Sequence, residues 1–139
     1  MNDEPHTYTT RLVLEGGEDI RAHRVEMGAQ SLAASSAPEF GGDPEKADPE
    51  EMTIAAISSC HMLWFIAYAR AKRHPVSSYE DQAEIVLDGD RFTSAVLRPK
   101  VEFEGERPDD DFIDGLHERA HKACFVANSV NFPVTVEPQ

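Results

Sequence analysis

From Pro49 to Lys72 the chain reads PEEMTIAAISSCHMLWFIAYARAK, and apolar residues cover nearly the whole circumference of a helix drawn through it. Met52, Ile54, Ile57, Met62, Leu63, Trp64, Phe65, Ile66 and Tyr68 leave no continuous polar face, which predicts a buried helix rather than one laid on a surface. Asp48 suits the N-cap, Pro49 the first helical position, and Glu50 and Glu51 the first turn. Lys72 and Arg73 place positive charge at the other end, and Pro75 prevents continuation. A helix of this length spans about 36 Å, longer than a domain of this size is wide. A second copy of the chain is therefore expected to help cover it. Its one polar break is Ser58-Ser59-Cys60-His61, at mid-helix.

The remaining pattern is organised around that helix. Residues 6–14 alternate as a strand, Gly16-Gly17 marks a turn, and residues 20–27 alternate as the returning strand of a hairpin. Residues 28–48 are rich in Gly, Ala, Ser, Pro and Asp and predict a long loop, with at most a short turn at 31–34. After Pro75, residues 76–79 start an edge segment. Residues 82–87 form a strand with Ala83, Ile85 and Leu87 on one face. Asp88-Gly89-Asp90 closes a hairpin, and residues 92–103 return as one longer strand with a bulge or an edge at Pro99. A second helix is predicted over 108–126, started by Asp109 to Asp111, with Ile113, Leu116, Ala120 and Ala123 or Cys124 as its apolar stripe. Residues 134–136 form a last short strand. The order ββ-loop-α-ββ-α-β describes a single α+β domain over residues 1–139.

Composition narrows the class. With 139 residues and a net charge of −13, the chain is long enough for one real core and poorly suited to nucleic acid or anionic membrane surfaces. The acidity reads most simply as a strongly solvated surface. No basic segment and apolar run opens the sequence, so no secretory signal is expected and a cytoplasmic location is. The apolar helix, interrupted by Ser58, Ser59 and His61 and opened by two glutamates, is expected to be a core element and not a membrane span. Two cysteines in such a protein suggest catalysis, redox sensing or metal binding before a permanent staple. A free cysteine is, on its own, most often a small core hydrophobe.

Two stretches carry a family likeness. Asp48-Pro49-Glu50-Glu51-Met52 through Ser59-Cys60-His61-Met62-Leu63-Trp64 resembles the first cysteine segment of the OsmC/Ohr family, the osmotically inducible protein C and organic hydroperoxide resistance proteins. His121-Lys122-Ala123-Cys124-Phe125-Val126-Ala127-Asn128-Ser129-Val130 resembles its second. Asp43-Pro44 and Asn131-Phe132-Pro133 resemble the OsmC-like subgroup with a Cys-His pair. The likeness covers residues 40–139 well and the first hairpin weakly. It implies an OsmC-like fold: an antiparallel sheet wrapped around a long central buried helix, in an intertwined homodimer with strands from both chains.

It also implies thiol-dependent reduction of organic hydroperoxides. Cys60 would be the peroxidatic thiol and Cys124 the resolving one, with an external thiol as reductant and no cofactor. Met52, Trp64, Phe65, Phe112 and Phe125 are candidates for an apolar pocket selecting alkyl or lipid hydroperoxides. A buried thiol resists ionisation and needs a positive partner. The resemblance implies an arginine from the early region held by a carboxylate. Glu50 matches the carboxylate, ten residues before Cys60, while Arg21 and Arg24 are both candidates for the arginine. Ten helical residues are about 15 Å, too far for Glu50 to reach Cys60 on one straight helix. Glu50 is therefore expected to serve a neighbouring subunit's site or to act through the arginine.

His61 points about 100° away from Cys60 on a helix and is expected to satisfy a buried polar group or line the pocket rim. His117, His121 and Cys124 share one helical face at i, i+4 and i+7 and could bind zinc, with Cys60 as a fourth ligand. The plainer expectation is solvated histidines flanking a cysteine. A ligand-binding module, with an apolar molecule at the dimer interface and non-catalytic cysteines, is the alternative function.

Overall fold

The computed structural model describes residues 4–139, which divide into two compact units, one ending at Met52 and the other spanning Thr53–Gln139. In the first, β1 (Arg11–Leu14), β2 (His23–Met27) and β3 (Gln30–Ala34) form an antiparallel sheet in that order. The β1–β2 hairpin follows the alternation, with Gly16 and Gly17 both at positive φ in its turn. The third strand was not expected. Gln-Ser-Leu-Ala-Ala has little strand character of its own, and only pairing with β2 through the tight turn at Gly28 makes it one. The loop that follows contains a 3-10 turn at Pro38–Phe40. It packs so closely that a side chain at Gly42 would meet the Ser36 carbonyl oxygen. Ala47 bridges back to Ala34, delivering the chain to the helix start.

There Asp48 and Glu51 cap each other: the Glu51 N–H donates to Asp48 Oδ1 at 2.8 Å and the Asp48 N–H to Glu51 Oε1 at 3.2 Å. Helix α1 then runs from Pro49 to Ala71, within a residue of expectation. Ile57, His61, Phe65 and Ala69 are its fully buried positions. By length and composition alone α1 could cross a membrane. Its buried face, however, is closed by protein.

In the second unit, β4 (Val76–Asp81) pairs with β7 (Pro99–Phe103), and β5 (Glu84–Asp88) with β6 (Arg91–Leu97) through the Gly89-Asp90 turn. The expected strand over 92–103 is divided in two. The Arg98 N–H donates to Asp81 Oδ1 at 2.6 Å, and Pro99 has no N–H to continue the β6 ladder, so β6 and β7 pair with different strands. Helix α2 spans Asp110–Ala123, shorter than predicted, with the Asp109 side chain accepting from the Phe112 N–H at 2.8 Å. The last strand, β8 (Val134–Val136), runs parallel to β6, whereas the other named strand pairs among the described residues are antiparallel.

Two apolar clusters hold this unit together. Phe65 and Ala69 of α1 pack with Ile113, Leu116 and Ala120 of α2, against Tyr79 and Val101 of β4 and β7. Ile57 of α1 packs with Ala95 and Leu97 of β6 and Val134 of β8. The helix is thus shared: its C-terminal half meets α2 and one sheet, its N-terminal half the other. Its remaining circumference is open in this chain, where Ala56, Ser59, Leu63 and Ala67 are exposed. All-round burial is therefore met on one side only.

Candidate thiol site

The mid-helix polar break has a structural use on each side. Ser58 Oγ donates to Asp81 Oδ2 at 2.5 Å, and Asp81 also receives the Arg98 N–H, so one carboxylate ties α1 to the β4 and β6 ends. Two residues on, Cys60 lies half-buried at the edge of a hollow of about 470 Å³ lined by Ala56, Ser59, Cys60, Leu63, Trp64, Ala67 and Phe125. Trp64 is held there by Tyr68 beneath it, at 5.6 Å between ring centroids, and by the edge of Phe125 at 5.5 Å. Arg119 sits 4.0 Å over the Tyr68 ring and braces the same group.

Cys124 is fully buried, and Cys60 is near enough to influence the ionisation of its thiol. It lies just past the end of α2, with extended backbone angles, and its sulfur accepts the Ala127 N–H at 3.4 Å. Burial pushes its pKa up, the Ala127 N–H opposes this, and the neighbouring Cys60 raises it further. Both cysteines are free, and Phe125, the residue after Cys124, lines the same hollow as Cys60. Such a couple can close to a disulfide or hold a small electrophile at the half-exposed sulfur.

The other expected residues fall as follows. Glu50 is half-buried in the first turn of α1, and among the described residues its Oε2 is buried with no hydrogen-bond partner. Arg24 on β2 pairs with Glu26 at 3.2 Å and Glu15 at 3.8 Å. Arg21 is exposed beside Gly41 and makes none of the ion pairs found among the described residues. These three belong to the N-terminal unit and are placed within it. Of the expected pocket residues, Trp64 and Phe125 line the hollow. Phe65 is buried in the core, and Phe112 packs beside the same cluster.

The histidines differ from expectation. His61 is buried, as anticipated for a residue satisfying a polar group, and its partner is His117: Nε2 and Nδ1 lie 3.0 Å apart with ring planes within 7°. His117 is therefore not solvated but part of the core, against Phe65 at 4.3 Å. Burial lowers both imidazoles to about 4. His121 adds to the effect on His61 while Asp81 opposes it, and His61 adds to the effect on His117. Cys124 leaves the helical face that would have aligned it with His117 and His121. Among the described residues no three His, Cys, Asp or Glu side chains converge as metal ligands. Ala56, Ser59, Leu63 and Ala67 were missed as site residues, although their spacing with Cys60 and Trp64 places all of them on one helical stripe.

Residues 42–139 match the family described as OsmC-like protein. No curated protein matches the chain. Among solved structures it is similar to an OsmC-like protein of unknown function from Vibrio cholerae, with 31% identity and a TM-score of 0.90 over 97% of this chain and 100% of that one. It also resembles an organic hydroperoxide resistance protein OsmC from Legionella pneumophila, at 20% identity and a TM-score of 0.70 over 96% and 97% of the two chains. The organic hydroperoxide resistance protein OhrB of Bacillus subtilis gives 18% and 0.66 over 95% and 98%. At those two identities the likeness is one of fold.

Proposed function

The chain belongs to the OsmC-like protein family, and on that footing we propose that it is a thiol-dependent peroxidase that reduces organic hydroperoxides. The observation that carries this reading is a pair of free cysteines, half-buried Cys60 on an apolar hollow and buried Cys124 near enough to influence it. In this reading the Cys60 thiolate attacks a peroxide oxygen and the O–O bond breaks. The alkoxide leaves and takes up a proton as the alcohol, and Cys60 becomes a sulfenic acid. Cys124 then attacks the sulfenic sulfur, closing the Cys60–Cys124 disulfide with loss of water. Two equivalents of an external thiol supply two electrons and two protons, restoring both cysteines and leaving as a disulfide. Because Cys124 is buried, the incoming thiol meets Cys60 first.

The lining suits the substrate class. Ala56, Leu63, Trp64, Ala67 and Phe125 favour an alkyl or lipid chain, and hydrogen peroxide gains nothing from them. Arginine activation of Cys60 is assigned to Arg21 or Arg24, supported by Glu50. Among the described residues the Arg21 guanidinium makes no ion pair and the buried Oε2 of Glu50 has no hydrogen-bond partner, which is consistent with that pair. The open side of α1 supports a homodimer in which a second copy covers it, with residues 1–139 acting as one domain in the cytoplasm.

The test is to mix the fully reduced protein with cumene hydroperoxide and count free thiols against time, beside Cys60→Ser and Cys124→Ser. Fast loss of both thiols, abolished in Cys60→Ser and diverted to overoxidation in Cys124→Ser, is the expected result. Persistent thiols would favour the second reading, a module binding an apolar ligand in the same hollow. The engagement of Arg24 with Glu26 and Glu15 is the observation on its side.

A further inference from the structure

The apolar contacts between α1 and α2 leave one thing unfixed. Phe65, Ala69, Ile113, Leu116 and Ala120 meet through non-directional surfaces, which tolerate small slides of one helix along the other. A disulfide does not. Its sulfurs, β-carbons and dihedral must fall within narrow limits, and a shift of about 1 Å moves a thiol pair out of reaction geometry. Cys60 is on α1 and Cys124 directly follows α2, so the register of those two helices sets the distance between the thiols.

We infer that the buried His61–His117 pair is a positioning device for the thiol couple, locking α2 onto α1 at the register that holds Cys124 beside Cys60. His61 is the residue after Cys60 but points away into the core. His117 lies seven residues before Cys124, about two helical turns. Their 3.0 Å hydrogen bond is directional, requires one ring to donate and the other to accept, and joins the two helices within the core itself.

Stability alone does not explain the pair. Each ring leaves its second nitrogen, His61 Nδ1 and His117 Nε2, buried with no partner among the described residues. Burying unsatisfied nitrogens is costly, and two leucines or phenylalanines would fill the space without that cost. Buried polar pairs retained against such a cost are best understood as fixing one arrangement among several near-equal apolar ones. The tautomers are linked, since whichever ring donates, the other must accept, so the pair acts as one unit. Around it stand Asp81 and Tyr79 from β4 and His121 from α2. His117 also lines the hollow shared with Asp114 and Glu118.

This inference rests on the thiol-couple reading above, and its test separates the two. The full-length protein, His117→Leu, His117→Asn and the double variant His61→Leu/His117→Leu are equilibrated with reduced and oxidised glutathione, and the Cys60–Cys124 disulfide is quantified. Asparagine places an amide nitrogen near the position of His117 Nδ1 and can still bond His61. The double variant fills the site with apolar groups and is the safeguard should His117→Leu fail to fold. Expected is a fall of about tenfold or more in the disulfide equilibrium constant for the leucine variants, the double variant included even though its fold is at least as stable, with most of it recovered in His117→Asn. With cumene hydroperoxide, the first thiol should be lost at the unmodified rate in every variant. Trapping of the sulfenic acid, read by dimedone labelling, should slow in the leucine variants alone. Unchanged disulfide equilibrium and unchanged trapping in the leucine variants would overturn the inference. A disulfide that forms with glutathione and weakens in those variants, in a protein inert to hydroperoxide, would uphold the positioning role and overturn the peroxidase. No disulfide in the unmodified protein under either oxidant would overturn both.

Discussion

Along one side of α1, Ile57, His61, Phe65 and Ala69 are sealed against α2 and the sheets; along another, Ala56, Ser59, Leu63 and Ala67 face outward, with Cys60 and Trp64 at the border. Both sides are apolar in composition, and Leu63 at 60% exposure is no less hydrophobic than Ile57 at none. What separates them is which partner this chain supplies. The sealed side has one for every large side chain, whereas the outward side has only a shallow hollow closed in part by Phe125, itself 68% exposed. A helix whose chemistry is uniform around its axis can thus be a core on one side and a site on the other. The thiol that needs access is placed where the two meet.

Substitutions on the two sides should therefore part company. Cys60→Ser is expected to abolish hydroperoxide-driven thiol loss entirely while leaving urea denaturation within about 1 kcal/mol of the parent, since the site is half open. If activity survives in that variant, the outward side is not the reactive one. Phe65→Ala on the sealed side should cost about 3–5 kcal/mol in the same denaturation, because it empties a fully buried position between Tyr79, Phe103 and His117. A loss under about 1 kcal/mol would mean that the two sides are less different than they look.

Acid should strike the sealed side next. The His61 and His117 pKa values are lowered in the folded chain from 6.5 to about 4 by burial, so between those values the unfolded chain binds more protons. Stability is then fully present above about pH 6.5 and is lost as pH falls toward 4, by on the order of 3 kcal/mol per ring at most. Unfolding free energies from pH 7.5 to 4.5 should show this slope, and His61→Leu/His117→Leu should flatten it. An unaltered slope in that variant would assign the acid sensitivity to other groups. Smallest in its effect on the single chain is Leu63→Asp, which should change stability by about 0.5 kcal/mol or less if the outward side is solvent-facing. It should nevertheless split a dimer that covers this side, read as a halved mass in solution by light scattering. An assembly that survives the aspartate does not use this side.

Some of this was legible from residue order. The Asp48 cap, the stop before Pro75, the Asp-Gly turn and the helix start at Asp109 to Asp111 are local, set by groups within a few residues of one another. β3 was not, because Gln30 to Ala34 is a strand only by virtue of β2 beside it. Nor was the break at Arg98-Pro99, where the proline was visible but the competing acceptor, Asp81, comes from a distant strand. Nor is the burial of His117 legible, because the 3.6-residue period of α2 cannot say that His61 stands on the other helix to receive it.

The amino-acid sequence by itself determined that there is one long apolar helix with a thiol at its middle, a second helix with a second thiol near its end, and strands between them. Those facts follow from hydrophobic period, caps and breakers, all of which act over a turn or two of chain. The tertiary structure alone decided that the two thiols are neighbours, that two histidines share a buried hydrogen bond joining α1 to α2, and that Trp64 and Phe125 frame the opening while Phe65 does not. Such pairings depend on which elements close on which, across as many as 64 positions of sequence between Cys60 and Cys124. No local preference carries that information, because the free energy that selects a pairing is released only when both partners are already in place.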